Sequence, residues 1–143
     1  MITWVDYLKL NTDRTYDFII LDSPCSGLGT IRKNPEILFK QRPIELSKLL
    51  NIQERLLRKA SQLLNNNGKI LYMVCSFLKE EGVNQIHNFL KENNDFLLED
   101  FDLSKNNQNY KKLITNKMMH TLPSTINGFS IDGYFAAFIK KKN

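Results

Sequence analysis

The hydrophobic pattern of this chain contains two short runs of consecutive apolar residues, and each run leads to a cysteine. Residues 18–21 lead through Asp22 to Cys25, and residues 70–74 lead directly to Cys75. Continuous apolar runs of this length are typical of strands that are buried on both faces. Because ligands collect at the carboxyl ends of neighbouring strands in open α/β sheets, we expect Cys25 and Cys75 to share one site.

Between and after these strands the hydrophobic period becomes that of a helix. Leucines and one alanine repeat at about 3.6 residues per turn over 44–64, with a proline near the start and a glycine beyond the end. This pattern predicts a long amphipathic helix. A second apolar stripe predicts a helix over 80–92, whose amino-terminal end Glu80 and Glu81 would stabilise through the helix dipole.

The rest of the pattern completes an alternating order of strands and helices. The sequence predicts strands at 17–22, 69–75 and 96–100, loops at 23–35 and 104–110, and a closing strand pair, 118–122 with 134–140, around a loop at 123–133. Strand, helix, strand, helix and late strands are typical of an α/β fold. We therefore predict a mainly parallel sheet with a carboxyl-terminal antiparallel strand pair.

The net charge of +5 leaves room for a polyanionic partner, since lysine and arginine gain affinity for phosphates by releasing counterions. Much of the excess charge comes from residues 140–142 at the end of the chain, where a basic run is more typical of a solvated tail. Arg32 and Lys33 are more informative, because they lie in the loop that follows the first strand. These two charges are predicted to stand beside the cysteine site.

Length and cysteine content limit the class of protein. A chain of 143 residues makes one domain or part of one. It has no basic stretch followed by an apolar run at its start and no segment near the ~20 apolar residues that span a bilayer, so we predict a cytoplasmic protein without membrane contact. Thiols stay reduced there, which disfavours a Cys25–Cys75 disulfide. Without further ligands at metal-binding spacing, we predict no metal site.

The combination of Asp22, Cys25 and Cys75 suggests one specific chemistry. C5 of cytosine is a poor nucleophile towards a methyl donor, but a thiolate that adds to C6 places electron density on C5. A carboxylate can contact the ring edge, and a second group can help remove the C5 proton so that the thiol leaves. Such an enzyme must take the base out of its stack. By spacing alone, two buried cysteines acting as small hydrophobic residues remain the favoured alternative.

Longer motifs favour the cytosine-C5 chemistry over two structural cysteines. The segments 22–29 with 31–36, 68–76 with Glu80 and Glu81, and 132–135 together resemble the S-adenosylmethionine-dependent RNA cytosine-C5 methyltransferases, most closely the bacterial 16S ribosomal RNA enzymes of the Sun type. The motifs follow the order and spacing of that family over nearly all of residues 16–141. The resemblance implies a Rossmann-like methyltransferase domain, S-adenosylmethionine as cofactor and ribosomal RNA as partner.

The resemblance also implies a role for each matching residue. Cys75 would be the nucleophile that attacks C6, and Cys25 would assist release of the product. Asp22 would lie between the cofactor and the target base, contacting either or both. Serine at position 23 and valine at position 74 replace the usual alanine and threonine of the family, which are small changes that need not stop the chemistry.

Four further residues are assigned by the same resemblance. Pro24 is expected beside the cofactor, and Asp6 matches an acidic residue that such enzymes use near the cofactor's adenine, with a solvated turn residue as the alternative. Arg32 and Lys33 are expected to face RNA.

The resemblance leaves the early part of the family's pattern unmatched. Family members have a glycine-containing cofactor loop and usually an RNA-binding domain before the segment that matches here. We therefore expect residues 1–143 to form the carboxyl-terminal part of a methyltransferase catalytic domain. Two functions follow: cytosine-C5 methylation of ribosomal RNA, or an inactive fragment that binds RNA or another chain through an exposed sheet edge. A separate amino-terminal half or a second copy of the chain would be the protein partner.

Overall fold

The computed structural model describes residues 4–39, 45–102, 108–126 and 128–143, without the side chains of residues 4–6 and 108–110. Its helices are α1 (Trp4–Lys9), α2 (Leu46–Gln62) and α3 (Val83–Glu92). Its strands are β1 (Tyr16–Asp22), β2 (Leu64–Val74), β3 (Phe96–Glu99), β4 (Ile114–Thr115), β5 (Met118–His120), β6 (Ser124–Ile126), β7 (Phe129–Ile131) and β8 (Phe135–Lys141). Short 3₁₀ segments occupy Leu28–Thr30, Pro35–Phe39 and Gln108–Leu113.

Strand β8 lies in the middle of the main sheet. The order is β1-β2-β8-β5-β4, and β3 also pairs with β8. β1 and β2 are parallel, whereas β8 is antiparallel to β2, β3 and β5. The predicted α/β class and the predicted antiparallel closing pair are therefore confirmed. β1, β2 and β3 run in one direction as expected, but parallel hydrogen bonding is confined to β1 and β2 in the described sheet, because β8 enters between β2 and β3 in the opposite direction.

The core lies on one face of this sheet. The face of β2 that carries Ile70, Tyr72 and Val74 is fully buried under α2 and α3. Alternate residues of β8 join the same cluster, together with apolar side chains of both helices: Leu56, Leu57, Ala60, Ile86, Phe89, Phe135, Ala137 and Ile139. The hydrophobic stripes that predicted the two helices are thus the surfaces that pack on the sheet.

The apolar run of β1 is exposed on its other face. Leu21 points into the core, but Phe18 and Ile20 are 48% and 62% exposed. The expectation that both cysteine-bearing strands are buried on both faces is therefore wrong for β1. The physical reason is position, because β1 is the edge of the described sheet and the helices cover only the opposite face.

Several element boundaries differ from those the sequence predicts. β2 begins at Leu64, five residues before the predicted start, and its pairing with β1 shifts register between Leu64 and Lys69. α3 begins at Val83, so Glu80 and Glu81 precede the helix. The predicted loop at 123–133 contains the β6–β7 hairpin. Most of the predicted loop at 104–110 lies outside the described residues.

The carboxyl terminus is anchored to the domain. β8 extends to Lys141, whose ammonium group donates to the carbonyl of Leu64 at 3.3 Å. The Lys142 ammonium donates to the carbonyl of Asn94 at 2.6 Å. The expectation of a solvated basic tail is therefore wrong, because sheet pairing carries the basic run along the surface. In the described ranges, no helix is long and apolar enough to cross a membrane.

Candidate active site

The two cysteines lie side by side at the carboxyl ends of β1 and β2. Cys25 Sγ and Cys75 Sγ are 3.2 Å apart, and both thiols are free and half-buried. Parallel pairing of the two strands aligns their ends, with Asp22 opposite Met73 and the Ser23 N–H donating to the Met73 carbonyl at 3.0 Å. The prediction that the cysteines share one site is confirmed.

The short distance between the sulfurs makes them chemically unequal. A hydrogen bond from Cys25 lowers the pKa of Cys75 to about 7, against the opposing effect of burial. The same hydrogen bond, together with burial, raises the pKa of Cys25. The two thiols therefore titrate as an interacting pair, in which one proton is lost more easily than from an isolated thiol and the other is retained. The negative charge of Asp22 acts weakly to raise the pKa of Cys75.

Three backbone segments meet directly behind the cysteines. The Gly29 N–H donates to the Cys75 carbonyl at 3.0 Å, and the Gly133 N–H donates to the Gly29 carbonyl at 2.7 Å. A Cβ atom on Gly29 would lie 1.8 Å from the Gly133 carbonyl oxygen. Only glycine at position 29 permits this approach, because any side chain there would collide with backbone. The loop after β1, the loop after β2 and the turn before β8 are thereby joined.

A fully buried carboxylate supports the same loops from the other side. Glu81 is 0% exposed, and its carboxylate accepts hydrogen bonds from the Ser26 N–H at 2.8 Å, the Ser26 hydroxyl at 2.5 Å and the Gln53 amide at 3.0 Å. The Glu81 carbonyl accepts from the Tyr72 hydroxyl at 2.7 Å. The sequence suggested a helix-dipole role for Glu81. That expectation is wrong, because the helix starts later and the side chain turns inward.

Gln53 connects this carboxylate to the long helix. Its amide nitrogen also donates to the Pro24 carbonyl at 2.9 Å, and its amide oxygen lies 3.4 Å from the Gln85 amide nitrogen. Gln53 is fully buried on the leucine face of α2. The sequence carried a signal for this residue that the helix prediction did not use, since a glutamine that interrupts an apolar stripe must find buried partners.

Asp132 organises the outer side of the site. Its carboxylate contacts Arg32 at 3.1 Å and Lys33 at 2.6 Å, while its own side chain is almost fully buried. Hydrogen bonding and charge from Lys33, with support from Arg32, hold the pKa of Asp132 below its usual value. Arg32 and Lys33 are 43% and 61% exposed, so they border the site and remain open to solvent while paired with Asp132.

The structure places most of the predicted site residues together. Asp22 is exposed at the end of β1, and Pro24 is half-buried with its carbonyl bonded to Gln53. Asp6 falls in α1, but its side chain lies outside the described residues. In the parts of the chain that are described, no three metal-ligating side chains gather. The arrangement offers two adjacent thiols and a nearby carboxylate at one open strand end.

Solved structures identify the class of this fold. NSun6 from Pyrococcus horikoshii, solved with SFG, superposes with a TM-score of 0.74 over 96% of this chain and 33% of that protein, at 21% identity. A methyltransferase homolog protein from the same organism superposes with a TM-score of 0.58 over 90% of this chain and 40% of that one, at 23% identity. The chain therefore has the fold of the matching parts of these two proteins.

The family follows from the sequence of nearly the whole chain. Residues 2–140 match the model of the 16S rRNA methyltransferase RsmB/F family, and the chain belongs to that family. It is 34% identical over 125 residues to the probable ribosomal RNA small subunit methyltransferase B of Synechocystis, covering 87% of this chain and 27% of the relative. The corresponding protein of Bacillus subtilis is 30% identical, with 89% and 28% covered. The chain thus spans about a quarter of the length of these relatives.

Proposed function

We propose that this chain carries the catalytic cysteines of an enzyme that methylates C5 of cytosine in ribosomal RNA, with S-adenosylmethionine as methyl donor. The observation that carries the proposal is the 3.2 Å approach of Cys25 and Cys75 at the ends of adjacent parallel strands. The relatives' names support a ribosomal RNA substrate of the small subunit, which is 16S RNA in the family description. We place the activity in the cytoplasm.

Cys75 is the nucleophile in this proposal. Its lowered pKa of about 7 leaves a large fraction of the sulfur as thiolate near neutral pH. The thiolate adds to C6 of the flipped cytosine, the C5–C6 double bond opens, and the electron pair moves to C5. After C5 has gained the methyl group, for which S-adenosylhomocysteine would be the leaving group, transfer of the C5 proton to solvent water restores the double bond and expels the thiolate. Cys75 therefore ends the cycle in the state in which it began.

In this proposal Cys25 assists the cleavage of the bond between the Cys75 sulfur and C6 of the base. Its raised pKa keeps it protonated, and its sulfur lies 3.2 Å from the Cys75 sulfur, where negative charge returns when the C6–S bond breaks. A hydrogen bond to a leaving thiolate stabilises that charge. Removing Cys25 should therefore slow release more than attack, and the RNA adduct should persist.

The residues at the strand end fit a cationic methyl donor. When bound, S-adenosylmethionine supplies an electrophilic methyl group on a positively charged sulfur. Asp22 presents an exposed carboxylate beside Cys75, which suits either that charge or the amino edge of the base. Pro24 lies in the same loop, and Asp6 remains a proposed contact to the adenine. Arg32 and Lys33 offer exposed cations to the RNA backbone.

The remainder of the cofactor site belongs to a partner in this proposal. Residues 1–143 form the carboxyl-terminal part of the catalytic domain, and β1 presents its outer edge without a neighbouring strand in the described sheet. A separate amino-terminal segment or a second copy of the chain would pair with that edge. The second candidate function, an inactive fragment that binds RNA or a chain, is favoured by the same open edge.

Methyl transfer to 16S ribosomal RNA by the purified chain, preceded by calorimetric titration of S-adenosylmethionine, tests the proposal. We expect Cys75→Ala to abolish methylation and Cys25→Ala to accumulate a covalent RNA adduct on denaturing gels. Lys142→Ala, at the opposite end of the sheet, is the control and should behave as the parent chain. Full activity in Cys75→Ala would overturn the assignment. RNA binding without cofactor binding would favour the inactive fragment.

A further inference from the structure

Glu81 is an acidic side chain that has no cation among its hydrogen-bond partners in the described part of the chain. Its carboxylate is completely buried and receives its hydrogen bonds from one backbone N–H, one hydroxyl and one amide. A buried charge is costly unless donors surround it. A carboxylate surrounded by donors can fix the positions of those donors, which an apolar side chain of the same size could not do.

The segments fixed by Glu81 are those that carry the cysteines. Ser26, which follows Cys25, donates twice to the carboxylate. The Ser26 hydroxyl also lies 3.2 Å from the hydroxyl of Ser76, which follows Cys75. Each cysteine is therefore adjacent in sequence to a serine of one buried network, and Glu81 is the acceptor at its centre.

Two rigid elements hold the carboxylate itself. Gln53 of α2 donates to the Glu81 carboxylate and to the carbonyl of Pro24, the residue before Cys25. Both groups are therefore hydrogen-bonded to the same helix. Tyr72 of β2 donates to the Glu81 backbone from inside the core. Side chains locked by such packing and second hydrogen bonds hold reacting groups to within fractions of an ångström.

We propose that Glu81 is a positioning residue, which holds the Cys25 loop against Cys75 through Ser26 and so sets the distance between the two thiols. The inference rests on the catalytic roles proposed for Cys25 and Cys75, but its geometric content does not depend on them. The carboxylate makes no hydrogen bond to either sulfur. Its negative charge also acts weakly to raise the pKa of both thiols, and Glu81→Gln removes that charge while it keeps hydrogen bonds to the loop.

The test measures how close the two thiols are held, without RNA or methyl donor. The 143-residue chain is equilibrated with reduced and oxidised glutathione, quenched and alkylated, and the Cys25–Cys75 disulfide is quantified by mass. In the exchange, two thiols lose two electrons and two protons, and one glutathione disulfide becomes two reduced glutathiones. The equilibrium constant is the effective concentration of one thiol at the other.

We expect Glu81→Ala to lower this effective concentration by about tenfold or more. Glu81→Gln should stay within about threefold of the parent, because the amide oxygen still accepts from Ser26 and Gln53 while its NH₂ group donates to the Ser26 hydroxyl. Ser26→Ala, which loses only the hydroxyl bond, should fall between them. Glu80→Ala is the exposed neighbour and should have no effect.

Phe89→Leu is the control for a general loss of stability. It weakens the core away from the cysteine loops, so it shows how much the effective concentration of the thiols falls from destabilisation alone. An unchanged effective concentration in folded Glu81→Ala, or a fall in Phe89→Leu as large as in Glu81→Ala, would overturn the proposal. If Glu81→Ala does not fold, the proposal is tested by comparing Ser26→Ala with Glu81→Gln. An effective concentration in Ser26→Ala equal to that of the parent chain would then reject the proposal. Retained methylation in Cys75→Ala would instead reject the proposed function, whatever the thiol measurement gives.

Discussion

Glu81 and Asp132 are both nearly fully buried carboxylates that hold loops beside the cysteine pair, but they have opposite kinds of partner. Glu81 accepts hydrogen bonds from Ser26 and Gln53, which are neutral and buried. Asp132 pairs with Arg32 and Lys33, two cations that are largely open to solvent. Glu81 is therefore part of a network within the core, and Asp132 is part of a cluster that reaches the surface.

The difference shows what each kind of network can do. Neutral donors that are buried in the core cannot turn to solvent water, so a Glu81 network that loses its acceptor is costly. Exposed cations can be hydrated or can contact phosphates, so one of Arg32 and Lys33 can turn to such a ligand while the other stays paired with Asp132. The inner network suits fixed geometry, and the outer cluster suits contact with a polyanion.

Replacing Glu81 with an apolar residue should have the largest effect on stability. Glu81→Leu leaves the Ser26 N–H and one of the two N–H groups of the Gln53 amide without an acceptor in the core, which should lower the free energy of unfolding by roughly 3 kcal/mol. Urea unfolding followed by circular dichroism measures this loss, and Glu80→Leu serves as the matched control. A loss in Glu81→Leu no larger than in Glu80→Leu would mean that the inner network is dispensable.

Separating the loops should have an intermediate effect. Gly29→Ala places a methyl group 1.8 Å from the Gly133 carbonyl oxygen and 2.9 Å from the Cys75 carbonyl oxygen, so backbone must move. We expect a loss of about 2 kcal/mol in urea unfolding. Gly128→Ala is the comparison, since its φ of +79° carries strain but nothing lies within 4 Å, and about 1 kcal/mol is expected. Equal losses would show that the contact between the loops is not tight.

The Asp132 cluster should give the smallest effect, and that effect should depend on pH. The pKa of Asp132 is below its ordinary value of 3.8 in the folded chain, so its contribution to stability is complete above that pH. The contribution is lost as the pH falls through the lower folded value. Comparing urea midpoints of parent and Asp132→Asn between about pH 6 and pH 3 should show the difference narrowing with acid. A constant difference would contradict the charge pairing.

Local sequence patterns predicted the elements that frame the site. The leucine period located α2, and the two apolar runs located β1 and β2 with a cysteine beyond each end. The β6–β7 hairpin was missed because its strands are three residues long and mostly exposed, so they lack a burial pattern. The exposure of Phe18 and Ile20 was missed because an apolar run has the same appearance whether one face or both faces are covered.

The sequence by itself determined the main helices and strands around the site and the family, and it supplied the residues proposed to react, because periodicity and motifs are local. Only the tertiary structure decided which side chains meet. Cys25 and Cys75 are 50 residues apart, Ser26 and Glu81 are 55 apart, and Arg32 and Asp132 are 100 apart. Contacts at such separation depend on strand order and loop closure, and these arise from the packing of the whole sheet rather than from any one segment.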